Sequence, residues 1–136
     1  MSKESESATQ NPTVSPYEKQ FGFCRAVRVG NHIAIAGTAP IGPDGKTVSP
    51  NDAGRQARRC FDIIKDVLEQ LDSELTDVVR TRMYLTHIDD WEEVGRVHGE
   101  YFGDVQPVST MVEVARLIDS QWRVEFEADA IVGETD

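Results

Sequence analysis

Gln106-Pro107-Val108-Ser109-Thr110-Met111-Val112-Glu113-Val114-Ala115-Arg116-Leu117 and, eight residues further on, Glu125-Phe126-Glu127-Ala128-Asp129-Ala130-Ile131-Val132 decide the fold of this chain. In the second segment Glu125, Glu127 and Asp129 take one phase of a two-residue period, and Val124, Phe126 and Ala128 take the other. That pattern is a strand with one apolar and one charged face. Two closing strands are predicted, from about Ser109 to Leu117 and from Arg123 to Val132. Upstream, Val78 to Thr86 sets Arg80, Arg82 and Tyr84 against Val79, Thr81, Met83 and Leu85, again one polar and one mainly apolar face. If this strand neighbours the last one, their charged faces pair across strands, each pair contributing roughly 0.2–1 kcal/mol. Such a face is either solvated or set in a polar subunit interface.

Around these strands the pattern turns helical. Ala53, Ala57, Cys60, Phe61, Ile64, Leu68 and Leu71 recur every three or four residues, with Ser49 as the expected N-cap, Pro50 at the first helical position and Asp52 in the first turn. A second helix runs through Trp91, Val94, Val97, His98, Tyr101 and Phe102. Asp89 or Asp90 with Glu92 or Glu93 resembles a capping box at its start, and Gly103 is its expected stop. Phe23 to Val29 and His32 to Ala36, joined by Gly30-Asn31, predict a hairpin, and Pro43-Asp44-Gly45 a surface turn. Residues 1–13 are polar and aperiodic and are read as a disordered tail before a single domain over 14–136. The order β-β-α-β-α-β-β is an α+β fold with two helices on one face of a sheet.

Composition narrows the function classes. At 136 residues there is material for one modest core, and 39% hydrophobic with 28% charged residues is ordinary for a soluble globular protein. No apolar run is long enough to span a bilayer, and the N-terminus lacks the apolar segment of a signal peptide, so the cytosol is the expected compartment. A net charge of −10 and a pI near 4.7 argue against nonspecific nucleic-acid binding. Cys24 and Cys60 are read as buried free thiols, and His32, His87 and His98 have no metal-ligand spacing. No phosphate-binding glycine loop follows a strand, and no cofactor is implied.

The chain is similar to the Rid family, the YjgF-type reactive-intermediate deaminases. Ser15-Pro16-Tyr17 resembles that family's Gly-Pro-Tyr opening, and Ala36-Gly37-Thr38-Ala39-Pro40 its Ser-Gly-Gln-hydrophobe-Pro loop. Gln56-Ala57-Arg58 matches a triplet on its first helix. Val112 to Leu117 and Val124 to Ala128 resemble its last two strands most closely. The resemblance implies a chorismate-mutase-like fold, a homotrimer around a central barrel of sheets, and small-molecule pockets between subunits. It also implies hydrolysis of 2-imino or 2-enamino acids to 2-keto acids and ammonia.

That chemistry needs a cation for the substrate carboxylate and a group that orients or deprotonates water. Glu125 matches the water-orienting glutamate and is the candidate catalytic residue; Tyr17 and Gly37 match pocket positions. The family's carboxylate-binding arginine follows a Pro-Ala pair. Here the sequence is Pro107-Val108-Ser109, and a serine offers one neutral hydrogen bond where an arginine offers a charged fork. On the second helix a common asparagine is Gly95 and a tyrosine is His98. The pattern resembles the Rid subgroup lacking the arginine. Candidate substrate-binding residues are therefore Tyr17, Gly37, Ser109, Met111, Tyr84, His98 and Arg82. Arg82, with Arg96 and Arg116, is weighed as a substitute cation, against the plainer role of pairing with Glu125 or Glu127. Ser109, His98 and Glu125 also have the residue types of a hydrolase triad.

Two readings follow. One is a hydrolase of an imine, enamine or related C–N bond whose substrate differs from the usual 2-imino acids. The other is a noncatalytic trimeric module that binds a small metabolite. Ribonuclease activity, a label relatives have carried, finds little support in an acidic chain without a basic aromatic surface.

Overall fold

The computed structural model describes residues 9–10 and 16–133. Its elements are β1 (Thr9–Gln10), α1 (Pro16–Phe21), β2 (Ala26–Val29), β3 (His32–Thr38), α2 (Ala53–Gln70), β4 (Val78–Leu85), α3 (Trp91–Phe102), β5 (Val108–Glu113) and β6 (Val124–Ile131). The six strands form one mixed sheet in the order β1-β2-β3-β6-β4-β5. The α+β class holds. Of the segment read as a tail, Thr9 and Gln10 pair with Arg28 and Val27; the rest of it, like residues 14–15 and 134–136, lies outside the described residues.

The hairpin closes as its turn predicts, with Val29 opposite His32 and Gly30 at φ 60°. The two closing segments are not neighbours. β6 inserts between β3 and β4, antiparallel to both, while β5 runs parallel to β4 at the sheet edge. The reason is α3: a parallel partner needs a crossover, and α3 supplies it between β4 and β5. β5 also stops at Glu113, four residues short of the expected Leu117.

One face of the sheet carries the core. Phe61 of α2 sits at its centre, its ring 4.6 Å from Phe126 of β6 and 5.4 Å from Phe102 of α3. All seven residues of the predicted α2 face are buried. The helix start differs from expectation: Asp52, not Ser49, is the N-cap, its Oδ1 accepting from Arg55 N at 3.0 Å. Ser49 (φ 37°) and Asn51 (φ 69°) adopt the left-handed conformation and form a turn leading into the helix.

Gln56 is a buried polar residue in this apolar layer, and it ties the layer to two loops. Its Nε2 donates to Val48 O, Ser49 O and Gln121 O (2.9 Å), and its Oε1 accepts from Arg123 N at 2.7 Å. The capping box predicted for α3 does not form. A turn of 3-10 helix, Ile88–Asp90, leads into it, and the Asp90 carboxylate binds Arg123 Nη2 at 2.9 Å instead of the helix start. Gly103 follows α3 with right-handed geometry, φ −54°, and its N–H bonds to Gly99 O; the left-handed residue of this connection is Gln106. Cys60 is buried as expected, whereas Cys24 lies just before β2 and is half-buried.

Candidate functional site

Strand register puts the charged groups together on the sheet face away from α2 and α3. Arg80 lies opposite Asp129, Arg82 opposite Glu127, and Tyr84 opposite Glu125. Arg82 Nη1 is 3.3 Å from Asp129 Oδ2, and Arg80 Nε is 3.9 Å from the same oxygen. Tyr84 donates its hydroxyl to Glu127 Oε1 at 2.6 Å, which pushes the phenol pKa upward. Arg82 is therefore engaged with Asp129. Beside these groups a shallow hollow of about 310 Å³ is lined by Cys24, Ala26, Ala34, Ala36, Arg82 and Glu127, among others.

Glu125 is the distinctive member of this face. It is half-buried, and burial, reinforced by the neighbouring Glu127 charge, raises its carboxyl pKa. Its Oε2 lies 2.8 Å from where a Cβ on Gly37 would stand, so the glycine of β3 is what lets the carboxyl rest against that strand. A carboxyl with a raised pKa is a stronger base once ionised, which suits proton transfer to and from water.

Ser109, Met111 and His98 belong to the other side of the sheet. Ser109 pairs in parallel register with Thr81, and the Thr81 hydroxyl donates to Ser109 Oγ at 2.7 Å. His98 Nε2 is 2.9 Å from Thr81 Oγ1. The His98 ring packs 4.8 Å from Phe102, and burial lowers its pKa. Met111 is partly buried against the core. Tyr17 is 60% exposed on α1 and stacks on Phe21, their ring centroids 6.0 Å apart.

Apart from Tyr17 on α1, the sequence candidates thus divide within one chain into two groups. Glu125, Tyr84, Arg82 and Gly37 share the open face, while Ser109, His98 and Met111 share the helix side. A Ser109–His98–Glu125 triad is not assembled in the chain: Thr81 stands between serine and histidine, and Glu125 is on the opposite face. Arg96 pairs with Glu92 along α3 at 3.5 Å, and Arg116 lies exposed in the 114–123 connection. Thr81 was not legible as a site residue; its only signal is that it is the polar member of the phase it shares with Met83 and Leu85. Among the described residues no group of three or more metal-ligating side chains converges, and no helix is long and apolar enough to cross a membrane.

The fold agrees with the comparisons to known proteins. The family model Endoribonuclease L-PSP matches residues 15–132. An uncharacterized protein of Streptomyces coelicolor is 34% identical over 132 residues, 97% of this chain and 98% of its own length. The 2-iminobutanoate/2-iminopropanoate deaminase of Escherichia coli is 30% identical over 112 residues, 80% of this chain and 86% of its own. Among solved structures, a YjgF family member from Mycobacterium tuberculosis superposes with a TM-score of 0.83 at 42% identity, covering 92% of this chain and 99% of that one. The chain belongs to the Endoribonuclease L-PSP family, the YjgF-type Rid family that its motifs resemble.

Proposed function

We propose that this protein is a Rid-like hydrolase that cleaves an imine, enamine or related C–N bond of a small metabolite. The observation that carries the reading is Glu125: a half-buried carboxyl of raised pKa, seated against a glycine on the open sheet face. Ionised Glu125 takes a proton from water as the water oxygen bonds to the imine carbon. The C=N electron pair moves to nitrogen, which receives that proton from Glu125. In the resulting aminoalcohol Glu125 then takes the hydroxyl proton and gives it to the nitrogen as the C–N bond breaks, leaving a carbonyl and ammonia. The deaminase name of the Escherichia coli relative supports this reaction class. The Ser109 position argues for a substrate other than the usual 2-imino acids, because no charged fork awaits a carboxylate there.

The reading includes a homotrimer acting in the cytosol. The open face carries paired charges around a shallow hollow, and Ser109 and Glu125 lie on opposite faces of one sheet. A pocket using both needs a neighbouring copy to bring one toward the other, which threefold closure would do. Sedimentation equilibrium should give three times the chain mass.

The direct test generates imines in place, with an amino-acid oxidase for carboxylate-bearing substrates and an amine oxidase for uncharged ones, and follows surviving imine by semicarbazide trapping. Wild type should accelerate loss of the uncharged imine, and Glu125→Gln should remove the acceleration. The noncatalytic module has its own support in Arg82, the candidate replacement cation, which Asp129 already engages. Absence of turnover across the panel, with a metabolite raising the melting temperature by binding the native state, would favour that second reading.

A further inference from the structure

Two positions at which this chain departs from the Rid pattern, Ser109 and His98, are physically joined through a third residue. Thr81 of β4 is 0% exposed; it gives its hydroxyl proton to Ser109 Oγ at 2.7 Å and lies 2.9 Å from His98 Nε2. A hydroxyl has one proton to give. With that proton on Ser109, the contact to the ring is made by a proton on His98 Nε2 donated to Thr81 Oγ1. Ser109, exposed on the edge strand β5, is left with its own proton directed outward.

The same heavy atoms serve the opposite polarity. With the ring proton on Nδ1, Ser109 donates to Thr81, Thr81 donates to Nε2, and Ser109 turns a lone pair outward. Either arrangement satisfies the Thr81 hydroxyl and His98 Nε2 and leaves the three side chains uncharged. The ring is fixed for this by Phe61, whose centroid is 5.6 Å away at 73°, and by Phe102. One turn earlier on α3, a Cβ on Gly95 would meet nothing within 4 Å, so no neighbouring side chain walls off that point of the helix.

We propose that Ser109, oriented by Thr81 and His98, is a neutral hydrogen-bonding subsite for an uncharged amide, carbonyl or hydroxyl group, at the position where the family's deaminases hold a carboxylate. Thr81 and His98 are positioning residues: they act through Ser109. The subsite presents a donor or an acceptor according to which way the chain runs, and a buried threonine prevents the serine from turning away. A carboxylate gains no charge there, in a protein whose net charge is −10. The inference deepens the hydrolase reading by naming its substrate class, and that reading alone gives the subsite its catalytic use. Binding tests the subsite independently.

The probes are propionamide and propionate, matched in shape and differing in charge, titrated into the full-length wild-type protein while the backbone amide signals of Thr81 and Ser109 are followed by NMR. Propionamide should shift both signals with a dissociation constant at least about fivefold below that of propionate. Thr81→Val should weaken propionamide roughly three- to tenfold, the size of a lost neutral hydrogen bond, and Thr81→Ser should restore it, which a purely structural role for the side chain would not predict. Ser109→Ala, at an exposed position, gives the same comparison if Thr81→Val does not fold. Propionate binding as tightly as propionamide, no binding of either probe, or propionamide affinity indifferent to both substitutions would overturn the proposal. Imine turnover separates the two readings: propionamide binding without hydrolysis sinks the enzyme and leaves the subsite. Glu125-dependent hydrolysis without amide preference sinks the subsite and leaves the enzyme.

Discussion

Glu125 occupies the space that any side chain at Gly37 would need: its Oε2 lies 2.8 Å, and its Cδ 3.1 Å, from the position of a Cβ on that glycine. Gly37→Ala therefore has to move something, and the movable part is the far end of a flexible glutamate. The fold should lose less than about 1 kcal/mol, while the carboxyl is pushed off its seat. Turnover of an accepted imine should fall at least about tenfold at nearly unchanged melting temperature. Equal turnover in Gly37→Ala would mean that the seat does not matter to the chemistry.

The raised pKa of Glu125 makes stability and activity oppose each other at this residue. Its native carboxyl holds a proton more tightly than the unfolded chain does, so its favourable contribution is complete below the ordinary value of 4.5 and is lost as pH rises through the raised native value. Glu125→Gln escapes that loss. The variant should melt higher than wild type at neutral pH, the difference should shrink on acidification toward 4.5, and turnover should drop by about 10²–10⁴. Melting curves across that range, with semicarbazide assays on the same samples, check both halves.

Much of this arrangement was legible because period and phase carry it. The alternation of Glu125, Glu127 and Asp129 against Phe126 and Ala128 fixed which side chains share a face, and the α2 stripe fixed what covers the other. The sequence pattern could not say that β6 inserts between β3 and β4, because strand order depends on crossovers rather than on local periodicity. The helix caps depart from the local pattern for a related reason. Ser49 and Asp52 both suit an N-cap, and the left-handed turn at Ser49 and Asn51 decides for Asp52. Asp90 is drawn to Arg123, which is distant in sequence. The candidate site divided across two faces because spacing along β5 does not reveal its parallel register with β4, and that register alone brings Ser109 beside Thr81.

Gln56 should be worth more to stability than its neighbours on the apolar stripe suggest. Gln56→Leu preserves volume but strands the carbonyls of Val48, Ser49 and Gln121 and the amide of Arg123. A cost of about 3 kcal/mol is expected, read as a lower urea midpoint with unchanged slope. Because the 121–123 segment leads into β6, amide exchange at Val124 and Glu125 should quicken before exchange in α2 does. A Gln56→Leu protein as stable as wild type would mean that water satisfies these groups when the side chain is gone.

Ser109→Arg tests how much of the family's chemistry one substitution restores. Ser109 is exposed on an edge strand, so the longer side chain has solvent to enter, and the loss is the acceptor that Thr81 now uses, about 1 kcal/mol. The gain is a guanidinium able to bind a carboxylate through two charged hydrogen bonds, each worth roughly 1.5–3 kcal/mol. Hydrolysis of a 2-imino acid should rise at least about tenfold over wild type, preference should swing away from the uncharged imine, and the added Glu125→Ala change should abolish what the arginine gained. The sedimentation behaviour should match wild type throughout. A correctly assembled Ser109→Arg protein that leaves 2-imino acids untouched would mean that divergence extends beyond the anchor, to Gly95 and His98 on α3. Wild-type chemistry would then have to rest on groups other than those of the arginine-bearing deaminases, or the chain would be a binding module.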